Sequence, residues 1–196
     1  QVRQSLTLRL TQRRILNAFR MGPVEVAAFT RDLEQFRPQY VQGYASALDV
    51  LARHILSASP RPLLRPVAVR SSAEVLHADA RARIQQAFAA PVRDFYGSRE
   101  VPGLAAECRA GRRHVLAHAR AIEIVDPRGH ALPAGVPGRV LVTDLANRAF
   151  GLLRYEIGDL ASWSSETRCP CGSPYPILER IQGRTSDFVV TPGGER

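Results

Sequence analysis

Three cysteines and one histidine carry the clearest ligand chemistry in the sequence: Cys108 with His114 six residues on, then Cys169-Pro-Cys171-Gly172. Three thiolates and one imidazole complete a closed tetrahedral zinc site, which is structural rather than catalytic. The Pro and Gly around Cys171 make the tight knuckle that metal-binding thiolates favour. Cys-x-Cys is a tighter and less diagnostic spacing than Cys-x₂-Cys, so buried free cysteines with a surface histidine stand as the alternative. Three cysteines are too few for a disulfide framework, which points to a reducing compartment. A cysteine nucleophile needs a base and an exposed setting, and Cys169 and Cys171 flank a constraining proline. Ser71 and Ser72 lack the Gly-x-Ser-x-Gly elbow of a hydrolase. His54, His77, His118 and His130 have no partner visible in the sequence and read as ordinary.

A second group of residues could hold a charged ligand. In DFYGSRE (94–100) Phe95 closes a short apolar segment and Gly97 permits a sharp turn. Ser98, Arg99 and Glu100 follow at once. In LLRYEIGDL (152–160) Gly158 precedes Asp159, whose carboxylate could accept two hydrogen bonds from a ribose diol; a turn-capping Asp is the alternative. In ERIQGRTSDFVVTPGG (179–194) Gly183, Arg184 and Asp187 form a polar turn between Ile181 and the apolar run 188–190, with a linker or hairpin as the alternative.

These side chains need a scaffold. Residues 1–60 read as helical. Phe29, Leu33 and Phe36 fall at helical spacing before Pro38 stops the segment. Ser46 and Asp49 form a capping-box pattern. Tyr44, Leu48, Leu51 and Ile55 then repeat along one face of an amphipathic helix. SPRPLLRP (59–66) reads as a linker. Residues 67–70 suggest a strand, Asp79 can cap a helix carrying Ile84 and Phe88, and residues 92–95 suggest a second strand. Strand, helix, strand at this spacing predicts a parallel βαβ unit, with ligands at the carboxyl ends of the strands. The loops SSAEVL (71–76) and YGSRE (96–100) leave those ends. Beyond Pro102, HVLAH, RAIEIVD and GRVLVTDL are strand-like and separated by turn residues, which predicts an antiparallel meander or small barrel. The expected class is therefore α/β. The expected divisions are 1–100, 101–181 and 182–196, the last a hinge and the start of a further domain.

The formal net charge of +9 raises nucleic-acid binding, but all 27 basic residues are arginine and they are scattered. Without a basic block, no nucleic-acid partner is expected. No apolar run approaches the length of a membrane span, so no membrane partner is expected and a cytoplasmic protein is the default. The chain starts at Gln1 and stops at TPGGER, which suggests a piece of something longer.

Seven segments in order resemble the adenylate-forming ligase superfamily, in the branch of phenylacetate–coenzyme A ligase and its capsule-biosynthesis relatives. They are FRPQYVQGYASAL, SSAEVL, YGSRE, AEC…HVL, VLVTDLANRAFGLLRYEIGDL, CPCG and GR. The resemblance implies that Tyr96, with Gly97 beside it, stacks on adenine and that Glu74 lies near it. It implies that Glu100 holds Mg²⁺ on the ATP phosphates, a hard cation suited to carboxylate oxygen. It also implies that Asp159 takes the ribose hydroxyls, that Arg184 supports the same end of the nucleotide, and that Gly43 and Tyr44 wall an acyl pocket, a core tyrosine being the alternative. The branch carries a similar Cys/His set. The implied reaction is attack of a substrate carboxylate on the α-phosphate of ATP, followed by transfer to a thiol such as coenzyme A; a homodimer is also expected.

The chain departs from the family pattern in places. Arg99 stands where the family has Thr or Ser, leaving Ser98 or Arg99 to serve the phosphate. Ser186 stands at the usual acidic hinge position. The Gly/Ser/Thr-rich phosphate loop is not found, and a sequence with no lysine lacks the catalytic lysine. The chain thus reads as the middle-to-late part of the large domain. A non-catalytic, zinc-stapled module that binds a nucleotide or a protein is the alternative function.

Overall fold

A computed structural model describes residues 12–58 and 64–184. Asp187, Ser186, the segment TSDFVVTPGGER, residues 1–11 and most of the proline-rich linker lie outside them. The chain divides into two compact units, the break falling between Val92 and Arg93.

In the first unit, helix α1 (Pro23–Phe36) opens with proline at its first turn, where a missing N–H costs nothing. Glu25 lies in that turn and complements the helix dipole. The helix ends where Arg37 turns left-handed and donates its N–H to the Leu33 carbonyl. Val26, Thr30 and Leu33 form its buried face. Strand β1 (Tyr40–Tyr44) follows, in a region expected to be helical. It pairs in parallel with β2 (Ala68–Ser72), and α2 (Ala45–Ala58) forms the crossover. Parallel pairing is thus seen one element earlier than the pattern at 67–95 suggested. The predicted face of α2 is buried at Leu48, Leu51 and Ile55, but Tyr44 precedes the helix and is exposed. It is not a core tyrosine.

Two capping expectations fail for a common reason. The helices start two residues earlier than those caps imply, at Ala45 and at Ala78 in α3 (Ala78–Phe88). Ser46 and Asp79 therefore sit inside the first turn. Glu74 caps α2 instead: its two carboxylate oxygens accept the Ser46 N–H at 2.7 Å and the Ser46 hydroxyl at 3.0 Å. Asp49 is bridged by Arg83 of α3 at 2.7 and 3.1 Å and by Arg53 at 2.9 Å. The Arg83 guanidinium, followed by Arg53, holds Asp49 below the usual carboxylate range despite its burial. Ile84, Ala87 and Phe88 pack with Leu51, Ile55 and Val69 in one core. The Val69 N–H donates to the Pro91 carbonyl, fixing the chain as it leaves this unit.

The second unit is antiparallel. Its strands are β3 (Val92–Tyr96), β4 (Ala105–Glu107), β5 (Arg113–Val115), β6 (Arg120–Val125), β7 (Gly138–Asp144), β8 (Tyr155–Trp163) and β9 (Ile177–Arg184). They lie in the order β3-β4-β5-β9-β8-β7-β6. Two antiparallel meanders, β3-β4-β5 and β6-β7-β8-β9, are joined where β5 pairs with β9. Val101, Leu104, Val115, Ile124, Val140, Val142, Ile157, Ala161 and Leu178 form its core. Asp144 is buried and paired with Arg120, and it also accepts the N–H groups of Ala146 and Asn147. The fold is mixed α/β, with parallel and antiparallel pairing. No helix among the described residues is long and apolar enough to cross a membrane.

Candidate functional site

The DFYGSRE segment ends β3 and folds back tightly. The Ser98 N–H donates to the Val101 carbonyl at 3.2 Å, the Val101 N–H to the Ser98 hydroxyl at 3.1 Å, and the Leu104 N–H to the Tyr96 carbonyl at 2.8 Å. A Cβ at Gly97 would lie 2.6 Å from the Gly103 nitrogen. Only glycine permits that approach, and this is the physical meaning of the second letter of YGSRE. Arg99 and Glu100 project from the turn and are exposed. The backbone N–H of Glu100, the Ser98 hydroxyl and the charges of Arg184 and Arg99 hold the Glu100 carboxyl below its usual range, so it is ionised at neutral pH.

Tyr96 is buried, and its hydroxyl donates to Asp159 Oδ2 at 2.7 Å. Burial, then the Asp159 charge and this hydrogen bond, push the phenol well above its ordinary value, so it stays protonated and serves as a donor. Asp159 Oδ1 lies 3.9 Å from Arg184 Nε, and the two residues are paired across β8 and β9. Neither sits in a turn, contrary to the sequence reading. Gly158 and Gly183 have φ of 81° and 100° within strands, and the pairing of β8 with β9 shifts register just beyond them. They serve local irregularity in a ladder, where a residue with φ > 0 re-aims its neighbour. Each precedes a charged residue of the pair. The fold thus gathers Tyr96, Asp159 and Arg184 at one corner of the second unit. Glu74, Gly43 and Tyr44 lie in the first unit; Gly43 pairs with Ser71, and a Cβ there would press on Leu48.

The four candidate metal ligands also converge. The ligand atoms of Cys108, His114, Cys169 and Cys171 all lie within 4.8 Å of one another. Cys108 Sγ is 3.7 Å from Cys169 Sγ, and Cys171 Sγ is 3.3 Å from His114 Nε2. Zinc–sulfur and zinc–nitrogen bonds of about 2.3 and 2.0 Å give tetrahedral edges of roughly 3.8 and 3.5 Å, so the set fits a four-coordinate ion. The loops match one another: Gly111 N–H donates to the Cys108 carbonyl and Gly172 N–H to the Cys169 carbonyl, each at 3.0 Å. Cys171 Sγ accepts the Ser173 N–H. For Cys108, burial would raise the thiol, but the backbone N–H groups of Arg112 and Ala110 and the neighbouring cysteines bring it to about 7.

His114 is buried rather than on the surface, and its Nδ1 lies 2.8 Å from the Tyr175 carbonyl. This contact orients the ring so that Nε2 faces the thiols, an outer partner of the kind metal-binding histidines use. Sequence reading missed Tyr175, because a backbone carbonyl carries no residue signature. His118 and His130 acquire ordinary partners in Tyr175 and Asp126.

No family model matches the chain. It is 31% identical over 168 residues to a phenylacetate–coenzyme A ligase of Thermus thermophilus, covering 82% of this chain and 37% of that protein. It is 26% identical over 175 residues to protein CapK of Staphylococcus aureus, covering 89% of this chain and 38% of the relative. The chain therefore spans less than two fifths of these relatives. Among solved structures, 2-hydroxyisobutyryl-CoA ligase in the postadenylation state, in complex with R3-HIB-AMP, aligns with a TM-score of 0.76 at 25% identity, over 88% of this chain and 38% of that one. With its ordered motifs, its sequence relatives and its fold in agreement, the chain belongs to the adenylate-forming superfamily.

Proposed function

We propose that the second unit supplies the nucleotide corner of an acyl-activating ligase. In the proposed reaction a carboxylate oxygen of a small acid attacks the α-phosphorus of ATP, and the bond to pyrophosphate breaks. A thiol, coenzyme A in this reading, then takes the acyl group and releases AMP. The observation that carries the reading is the Tyr96–Asp159–Arg184 corner, in which three residues from separate motifs meet within hydrogen-bonding or ion-pair range. Support also comes from the solved relative that holds an acyl-AMP compound.

In this proposal Tyr96 faces the adenine and Asp159 accepts the ribose hydroxyls, with Arg184 beside the carboxylate. Ser98 and Arg99 face the phosphates, and the ionised Glu100 holds Mg²⁺. In the first unit Glu74 serves the base, beyond its capping of α2, and Gly43 and Tyr44 the acyl group. These residues position and stabilise charge, which is most of what adenylation requires. Cys108, His114, Cys169 and Cys171 hold a structural zinc ion that ties the β4–β5 turn to the loop before β9.

The test is carboxylate-dependent ATP–pyrophosphate exchange in an intact ligase containing this chain. Asp159→Ala should abolish exchange, and unchanged exchange refutes the nucleotide assignment. For the 196 residues alone, the absence of lysine favours nucleotide binding without turnover. Exchange by the isolated chain would overturn that second reading.

A further inference from the structure

The buried face of β3 carries Val92, Asp94 and Tyr96. An aspartate in that row has no part in the chemistry proposed above. Asp94 is 8% exposed, and a buried carboxylate is costly unless it is paired and hydrogen-bonded. Its Oδ2 accepts Arg113 Nε of β5 at 2.9 Å, reaching across the intervening strand β4. From β4, Glu107 Oε2 accepts the Asp94 backbone N–H at 2.8 Å.

The register explains the arrangement. Phe95 pairs with Ala106 and Tyr96 with Ala105, while Glu107 pairs with Arg113 and Ala105 with Val115. Asp94, Glu107 and Arg113 therefore form one row across three strands, and Tyr96, Ala105 and Val115 form the row two residues on. Strands β4 and β5 contain only three residues each, so backbone pairing gives their register little support. A slip of one residue would turn Tyr96 to the opposite face, away from Asp159. It would also separate Asp94 from Arg113 and leave its carboxylate unpaired on the buried face. The ionic row penalises the wrong registers more than it stabilises the right one, since an apolar pair of similar size holds a fold about as well.

We propose that Asp94 and Arg113 are positioning residues that lock the register of β3 against β4 and β5 and so aim the Tyr96 hydroxyl at Asp159. The geometric part stands alone; its consequence for nucleotide affinity rests on the function proposed above.

The experiment uses the 196-residue chain with ¹³C-labelled tyrosine, comparing the parent with Asp94→Asn. Five tyrosines give five ring resonances, and Tyr96→Phe identifies that of Tyr96. In the parent this resonance should hold still as pH rises past about 10, the ordinary value of a phenol. In folded Asp94→Asn it should move already at neutral pH and titrate at about that ordinary value. A Tyr96 resonance unchanged in a folded variant overturns the proposal. If Asp94→Asn does not fold, the double variant Asp94→Leu, Arg113→Met leaves no unpaired buried charge and is read in the same way. ATP affinity is measured in parallel and should fall about tenfold, the equivalent of one hydrogen bond. If the parent binds no ATP, the functional reading fails while the tyrosine resonance still decides the positioning claim. Affinity retained although Tyr96 is released would remove the nucleotide consequence.

Discussion

Replacing Tyr96 by Phe removes one oxygen atom from the candidate corner, and its effect follows from the geometry. The lost bond is 2.7 Å long and ends on a carboxylate whose side chain is only 12% exposed. Hydrogen bonds to charged groups contribute about 1.5–3 kcal/mol, and Asp159 Oδ1 keeps Arg184 at 3.9 Å. We therefore expect a loss of about 2 kcal/mol in the stability of the second unit. Trp163, the single tryptophan, lies on the same strand as Asp159 and reports this unit's urea unfolding by fluorescence. A pH series supplies a second signature. The folded phenol titrates above its unfolded value, so the folded state keeps a proton that the unfolded state releases. Its contribution is fully present below about pH 10 and is lost as pH rises beyond it. Parent stability should fall more steeply than that of Tyr96→Phe above pH 10, because all other groups are common to both. Equal stability at pH 7, with parallel slopes above pH 10, would refute the donor role of Tyr96.

Other perturbations test separate parts of the account. Purified protein should carry about one zinc ion per chain by elemental analysis, and Cys169→Ser with Cys171→Ser should remove it; unaltered content would rule out the ligand set. Zinc should also dissociate as pH falls, because protons compete for the thiolates and the imidazole. Gly97→Ala forces a Cβ to within 2.6 Å of the Gly103 nitrogen and should cost more than about 2 kcal/mol, measured by the Trp163 transition. A neutral result there would mean that the turn is not as tight as described.

How much of this was legible in the sequence depended on whether a residue's role was local. The cysteine and histidine ligands could be named because thiolates and imidazoles announce themselves, and the β4–β5 hairpin brings Cys108 and His114 together as their spacing suggested. The apolar face of α2 was legible at Leu48, Leu51 and Ile55, since burial on a helix recurs every three or four residues. Strand β1 was not: it is five residues long, its ends are exposed at Tyr40 and Tyr44, and it abuts α2 without a break. A short strand next to a strong helix leaves no periodicity of its own. Gly158 and Gly183 looked like turns because glycine marks both turns and strand irregularities, and only the partner strand distinguishes them. Glu74 as a cap for α2 joins residues 28 apart, and Asp94 with Arg113 spans 19, so neither contact could be seen in a local window.

The central claim is that Asp159 recognises the ribose of a nucleotide. Calorimetric titration of the chain with ATP and with 3′-deoxy-ATP, repeated on Asp159→Asn, measures this directly. The account predicts that the parent binds ATP about tenfold more tightly than the deoxy compound and that the variant no longer distinguishes them. Equal affinity of the parent for both nucleotides, or discrimination that survives in Asp159→Asn, would contradict it.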